Sequence, residues 1–182
     1  SFEKHLFASL TEFTEPIPGV VETLDSLRRQ DIRIGSTTGY TAQMMEVVRP
    51  GAAEKGYVTD FLATPDGLLA GRPAPYMIFR NLTELAIPSV QEAVKVGDTL
   101  SDIREGINAG VWSVGVITGS NEMGITEAEY ARIPDGELAR MKEEVRRRML
   151  GAGAHHVLDN ITELPAYIET VSYTHLRAHE TK

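Results

Sequence analysis

The sequence predicts an α/β fold in which a parallel sheet is flanked by helices. Short β-rich runs alternate with helical stretches of about ten residues, the pattern of βαβ units. Glycine and polar residues follow the strand-like runs directly, where the ligand crevice of such a sheet lies. The chain has 182 residues, 42% hydrophobic and 24% charged, a globular composition that suits one domain, with or without part of a second.

Residues 1 to about 15 read as a short amphipathic helix, with Phe2, Leu6, Phe7, Leu10 and Phe13 at roughly helical spacing before Pro16 and Pro18 break it. This segment is expected to be the end of a separate helical unit. A core over 16–170 follows. Val20, Val21, Leu24 and Leu27 share one helical face, and Ile32 to Thr37 is a β-rich run. Ala42 to Val48 is helical, Phe61 to Ala63 a strand, and Tyr76 to Leu85 a helix entered through Pro73 and Pro75. Ala93 to Val96 is a strand, Ser101 to Ala109 a helix closed by Gly110, and Val111 to Ile117 a strand. Thr126 and Glu129 form a capping-box pattern. Leu138, Met141, Val145 and Met149 line a longer helix ending at Gly151, before a strand at His156–Leu158 and a helix over Ile161–Ile168. Residues 171–182 lack apolar periodicity and are expected to be a disordered or foreign tail.

No repeat at solenoid periods is present. The net charge of −8, from 18 Lys+Arg against 26 Asp+Glu, disfavours a general nucleic-acid binder. It leaves room for a small anionic substrate held by local cations. No apolar run reaches the roughly 18 residues that a membrane span needs, and no signal peptide is visible. Ser1 stands where an initiator Met is absent, so targeting upstream stays open. With no cysteine, disulfides, thiolate metal sites and a cysteine nucleophile are excluded.

Three strand ends carry chemistry. Thr37-Thr38-Gly39-Tyr40 puts a hydroxyl beside a glycine at a helix start, which suits a phosphoryl oxygen. Arg72, in Gly71-Arg72-Pro73, can clamp a phosphate or phosphonate through a planar guanidinium. In Gly97-Asp98-Thr99-Leu100-Ser101-Asp102, two carboxylates straddle a strand end and a helix start. Converging hard oxygens of this kind suit Mg2+. Together these are parts for metal-assisted phosphoryl transfer, without an oxygen nucleophile. His155 and His156 are read as packing or surface residues.

The strings IGSTTGYT (Ile34–Thr41), TPD and GRP (Thr64–Pro73), VKVGDTLSD (Val94–Asp102) and AGVWSVGVITGSNEMGITEAE (Ala109–Glu129) resemble the haloacid dehalogenase superfamily, on its Rossmann-like core. Within it they resemble the phosphonoacetaldehyde hydrolase (phosphonatase) family, in which Arg rather than Lys occupies the cation position. The resemblance spans about residues 3 to 170. It implies Mg2+-dependent cleavage of a P–C bond in a small phosphonate, a Schiff-base Lys in a helical cap, a cytoplasmic enzyme and a homodimer through the cap. It also implies Asp98 as metal ligand and Asp102 as holder of the metal or its water. Thr38 and Gly39 would bind phosphoryl oxygens, Arg72 would neutralise developing charge, and Tyr40 would line the site. The family's nucleophilic Asp motif and cap Lys have no match; Lys4 fits no Schiff-base motif. The chain is therefore expected to be a C-terminal fragment, inactive alone, with an unpaired gap in mid-sheet. A superfamily phosphatase or phosphomutase acting on a phosphate ester, and a non-catalytic phosphate- or metal-binding module, remain alternatives.

Overall fold

The structure, a computed structural model, describes residues 7–11, 19–54, 56 and 58–180. Six parallel strands form one sheet: β1 (Phe7–Thr11), β2 (Arg33–Thr37), β3 (Phe61–Ala63), β4 (Ala93–Gly97), β5 (Trp112–Val116) and β6 (His156–Leu158). Their order is β3-β2-β1-β4-β5-β6. The helices are α1 (Val20–Arg29), α2 (Ala42–Glu54), α3 (Tyr76–Glu84), α4 (Leu100–Ala109), α5 (Glu127–Tyr130), α6 (Asp135–Gly151) and α7 (Leu164–Glu180).

Strand periodicity sorts the core into two layers. Ile34, Val94, Val96, Val114 and Val116 pack against Val20, Leu24 and Leu27 of α1 and Leu164 and Ile168 of α7. Fully buried side chains such as Leu24 and Leu27 each contribute roughly 1.5–3 kcal/mol. Elsewhere Ile78 and Leu82 of α3 pack with Ala93 and Ala109, while Ile103 of α4 meets Val145 and Met149 of α6. Alternation turns Lys95 and Gly97 away from Val94 and Val96, towards α4.

The helix expected over the first 15 residues is corrected by β1. Phe7 to Thr11 pair with Arg33 to Thr37 on one side, and Phe7 to Ser9 with Ala93 to Lys95 on the other. Hydrogen bonding along both edges outweighs a weak local helical pattern. The rest of that segment, with Lys4, Pro16 and Pro18, lies outside the described residues. The expected mid-sheet gap is absent, because β1 fills it. Residues 171–180 continue α7 to Glu180, so they are helical rather than the disordered of the two expected alternatives. The run contains neither Gly nor Pro, and extending an existing helix adds a hydrogen bond per residue. Similarly, α2 runs through Pro50 to Glu54 rather than stopping at Val48. The last helix begins at Leu164 rather than Ile161, after a single 3-10 turn, and the other strands and helices match the sequence reading closely.

Candidate active site

The strand order reverses at β1, so the crevice between the diverging crossovers opens beyond the carboxyl ends of β2, β1 and β4. Thr11 is level with Thr37 there.

The Gly97–Asp98 turn is shaped by a close approach. A Cβ at position 97 would lie 2.7 Å from Cγ of Asp102, so only glycine lets the first turn of α4 fold back over the strand end. Thr99 caps that helix, accepting from the Asp102 N–H, while Asp102 Oδ2 accepts from the Thr99 N–H at 3.2 Å. Leu100 N–H donates to Glu122 Oε1 at 3.1 Å. Two acidic side chains therefore meet the positive helix end.

Asp98 is buried. Its Oδ2 accepts from the Asn121 N–H at 3.0 Å, and the Ser120 hydroxyl donates to its carbonyl. Its Oδ1 is buried without a partner among the described residues. Burial, opposed by the Asn121 amide and reinforced by nearby Asp102, pushes the Asp98 carboxyl up to about 6. An orphaned hard oxygen whose charge is poorly solvated fits a cation such as Mg2+, which keeps several waters. Among the described residues, no group of three or more His, Asp or Glu side chains is arranged to hold a metal.

Asp102, expected to hold the metal or its water, is buried among hydrogen-bond donors. Its Oδ1 accepts from Arg72 Nη1 at 2.7 Å, and its Oδ2 accepts from Thr99 Oγ1 at 2.9 Å as well as from the cap. Arg72 reaches it from the β3–α3 loop and also donates through Nη2 to the Thr37 carbonyl at 3.1 Å. The guanidinium thus joins the end of β2 to the first turn of α4, with 14% of the side chain exposed.

Thr38 is buried, and its hydroxyl accepts from the Tyr40 N–H at 3.1 Å, leaving its own proton free to donate elsewhere. Gly39 is exposed, with open space where a side chain would project. Tyr40 is 39% exposed. Thr38, Gly39, Arg72, Asp98 and Asp102 therefore gather at neighbouring strand ends, and Tyr40 lies at their solvent edge. His155 Nδ1 accepts from the Ser113 N–H at 2.9 Å, and His156 stacks on Tyr167 with centroids 4.5 Å apart. Both are exposed surface residues with these local contacts.

Sequence reasoning missed Lys95, Glu105 and the hydroxyl of Thr37. Lys95 Nζ donates to Thr37 Oγ1 at 2.8 Å and to Glu105 Oε1 at 3.0 Å. A lysine between two valines in an otherwise apolar strand was the available signal.

A haloacid dehalogenase-like hydrolase family model matches residues 1–110, and a second model of the same kind matches 69–164. The chain belongs to the haloacid dehalogenase-like hydrolase family. Curated relatives include phosphonoacetaldehyde hydrolases from Parabacteroides distasonis, 66% identical over 172 residues, and Bacteroides fragilis, 58% identical over 171 residues. Each alignment covers 94% of this chain and 65% of the relative, so the chain spans about two-thirds of their length. A phosphonoacetaldehyde hydrolase-like protein of Oleispira antarctica has a crystal structure that superposes with a TM-score of 0.83 at 34% identity, over 87% of this chain and 57% of that one. Among the described residues, no helix of this family member is long and apolar enough to cross a membrane.

Proposed function

We propose that this chain is the phosphoryl-binding core of a phosphonoacetaldehyde hydrolase, which cleaves a P–C bond to give acetaldehyde and phosphate. The observation that carries the reading is Arg72, an arginine at the position where superfamily phosphatases resemble one another in carrying lysine, braced by Asp102 and the Thr37 carbonyl. Relatives bearing that name at 58–66% identity support it. In this reading the Thr38 hydroxyl and Gly39 amide bind phosphoryl oxygens, and Arg72 meets the negative charge that grows on them. Tyr40 lines the mouth of the site. Asp98 would hold Mg2+, which would screen the phosphoryl charge. Asp102 acts through Arg72 and the α4 cap. The nucleophilic carboxylate and the cap amine that the resemblance requires have no match in this sequence, and in this reading a chain of the relatives' length supplies them. The homodimer and cytoplasmic location are part of the same proposal.

The test is acetaldehyde release from phosphonoacetaldehyde by a chain extended upstream to the relatives' length, with Mg2+ present. Turnover that Asp98→Ala abolishes is the expected result. Hydrolysis of phosphate esters with no release of acetaldehyde would replace this reading with a phosphatase.

A further inference from the structure

Lys95 is the largest of the fully buried side chains among the described residues. Its ammonium closes a ring of alternating charge. Arg72 Nη1 meets Asp102 Oδ1 at 2.7 Å, and that oxygen lies 3.6 Å from Lys95 Nζ. Lys95 meets Glu105 Oε1 at 3.0 Å, and Glu105 Oε1 lies 3.9 Å from Arg72 Nε, which completes the circuit. Thr37 threads it: its hydroxyl accepts from Lys95 and donates to Glu105 at 3.2 Å, while its carbonyl takes Arg72. Of the four charged side chains, Arg72 alone reaches the surface; the other three are buried.

We infer that Lys95 and Glu105 are positioning residues for Arg72, fixing its guanidinium and balancing the charge around it so that it can receive a phosphoryl oxyanion. The inference rests on the reading of Arg72 as an anion-binding group. Two cations and two carboxylates make the ring neutral. Without Lys95, Arg72 would face two buried carboxylates, and the surplus negative charge would repel an incoming anion through a poorly screening medium. Stability alone does not explain the arrangement, because apolar residues of similar volume commonly replace buried ion pairs at no loss. The ring also has little space to rearrange. A Cβ at Gly106 of α4 would lie 2.7 Å from Ser113 Oγ and 3.0 Å from Lys95 Cβ, so the helix is seated directly on the lysine.

The experiment measures the affinity of the 182-residue chain for inorganic phosphate by calorimetry, and follows the Arg72 Nε–Hε resonance by NMR. The variants are Lys95→Met, Glu105→Gln and the two combined. Lys95→Met should weaken phosphate binding at least tenfold and shift the Arg72 resonance. Glu105→Gln, which removes a negative charge, should not weaken binding. The double variant, neutral again, should bind within threefold of wild type. A purely structural role would lower affinity in both single variants and again in the double. Wild-type affinity in Lys95→Met overturns the inference, as does a folded double variant no better than Lys95→Met. If Lys95→Met does not fold, the double variant decides: binding within threefold supports the inference, and a tenfold loss overturns it. Absence of phosphate binding in the wild type counts against the proposed function. The Arg72 resonance then judges the positioning role by itself: a shift in Lys95→Met that the double variant reverses supports it, and an unchanged resonance overturns it.

Discussion

Arg72 Nη1 donates to Asp102 Oδ1 at 2.7 Å, tying the loop after β3 to the first turn of α4. Its other terminal nitrogen donates to the Thr37 carbonyl at 3.1 Å, so one planar group spans the end of β2 and the start of α4.

Arg72→Lys should therefore be a poor replacement despite keeping the charge. An ammonium is a point donor and cannot hold both partners in one plane. In a chain of the relatives' length, kcat/KM is expected to fall more than tenfold, about 1.4 kcal/mol of transition-state stabilisation. Equal kinetics for Arg72→Lys and the wild type would leave Arg72 as a charge only.

Gly97→Ala should destabilise the fold. The added methyl would approach Cγ of Asp102 within 2.7 Å, and relieving that overlap must move α4 or its cap. Overpacking of this sort costs about 1–3 kcal/mol. Urea unfolding of the 182-residue chain would read it, and an unchanged midpoint would mean that α4 is not seated as described.

The contribution of Asp98 to stability should fall as pH rises between about 4 and 6. Burial lifts the Asp98 carboxyl from its ordinary 3.8 to about 6, so the folded chain keeps a proton that the unfolded chain has released. The native state binds more protons in that window, and the contribution is lost at up to about 1.4 kcal/mol per pH unit. Asp98→Asn does not titrate. Its unfolding free energy, measured without divalent ions, should lack this part of the slope, and parallel curves for wild type and variant would refute the assignment.

The 182-residue chain by itself is expected to release no acetaldehyde from phosphonoacetaldehyde. The central strand β1 reads Phe-Ala-Ser-Leu-Thr and carries no carboxylate, and losing a nucleophile typically costs many orders of magnitude in rate. A side-by-side assay with the upstream-extended chain checks it; substantial turnover by the shorter chain would show that other groups supply the missing chemistry.

The strand ends were legible in the sequence because each joins an apolar run to a glycine, hydroxyl or charge over a few residues. Thr38, Arg72 and Asp98 are local signals of that kind. Asp102 was named from the same strand end, but its contact with Arg72 was not, since Arg72 lies 30 residues away and the pairing exists only in the folded chain. Lys95 was overlooked for a similar reason: in Val94-Lys95-Val96 it reads as a residue facing water, and its hydrogen-bond partner Thr37 is 58 residues distant. β1 escaped because five residues holding Phe7, Ala8 and Leu10 satisfy a helical and an extended spacing about equally. Its pairing with β2 and β4 decides between them.

The seating of α4 has a consequence for how far this sequence can drift. Gly97 and Gly106 have no side chains because Asp102, Ser113 and the stem of Lys95 fill the space above them. Mutational tolerance should consequently be lopsided around the crevice. Diversity introduced at exposed Gly39 and Tyr40 would reshape the entrance while the floor stays in place. The same diversity along the inner face of α4 would tilt the carboxylates before it altered specificity. Libraries aimed at new substrates belong on the loops after β2 and β3, with the glycine-lined face of α4 held constant.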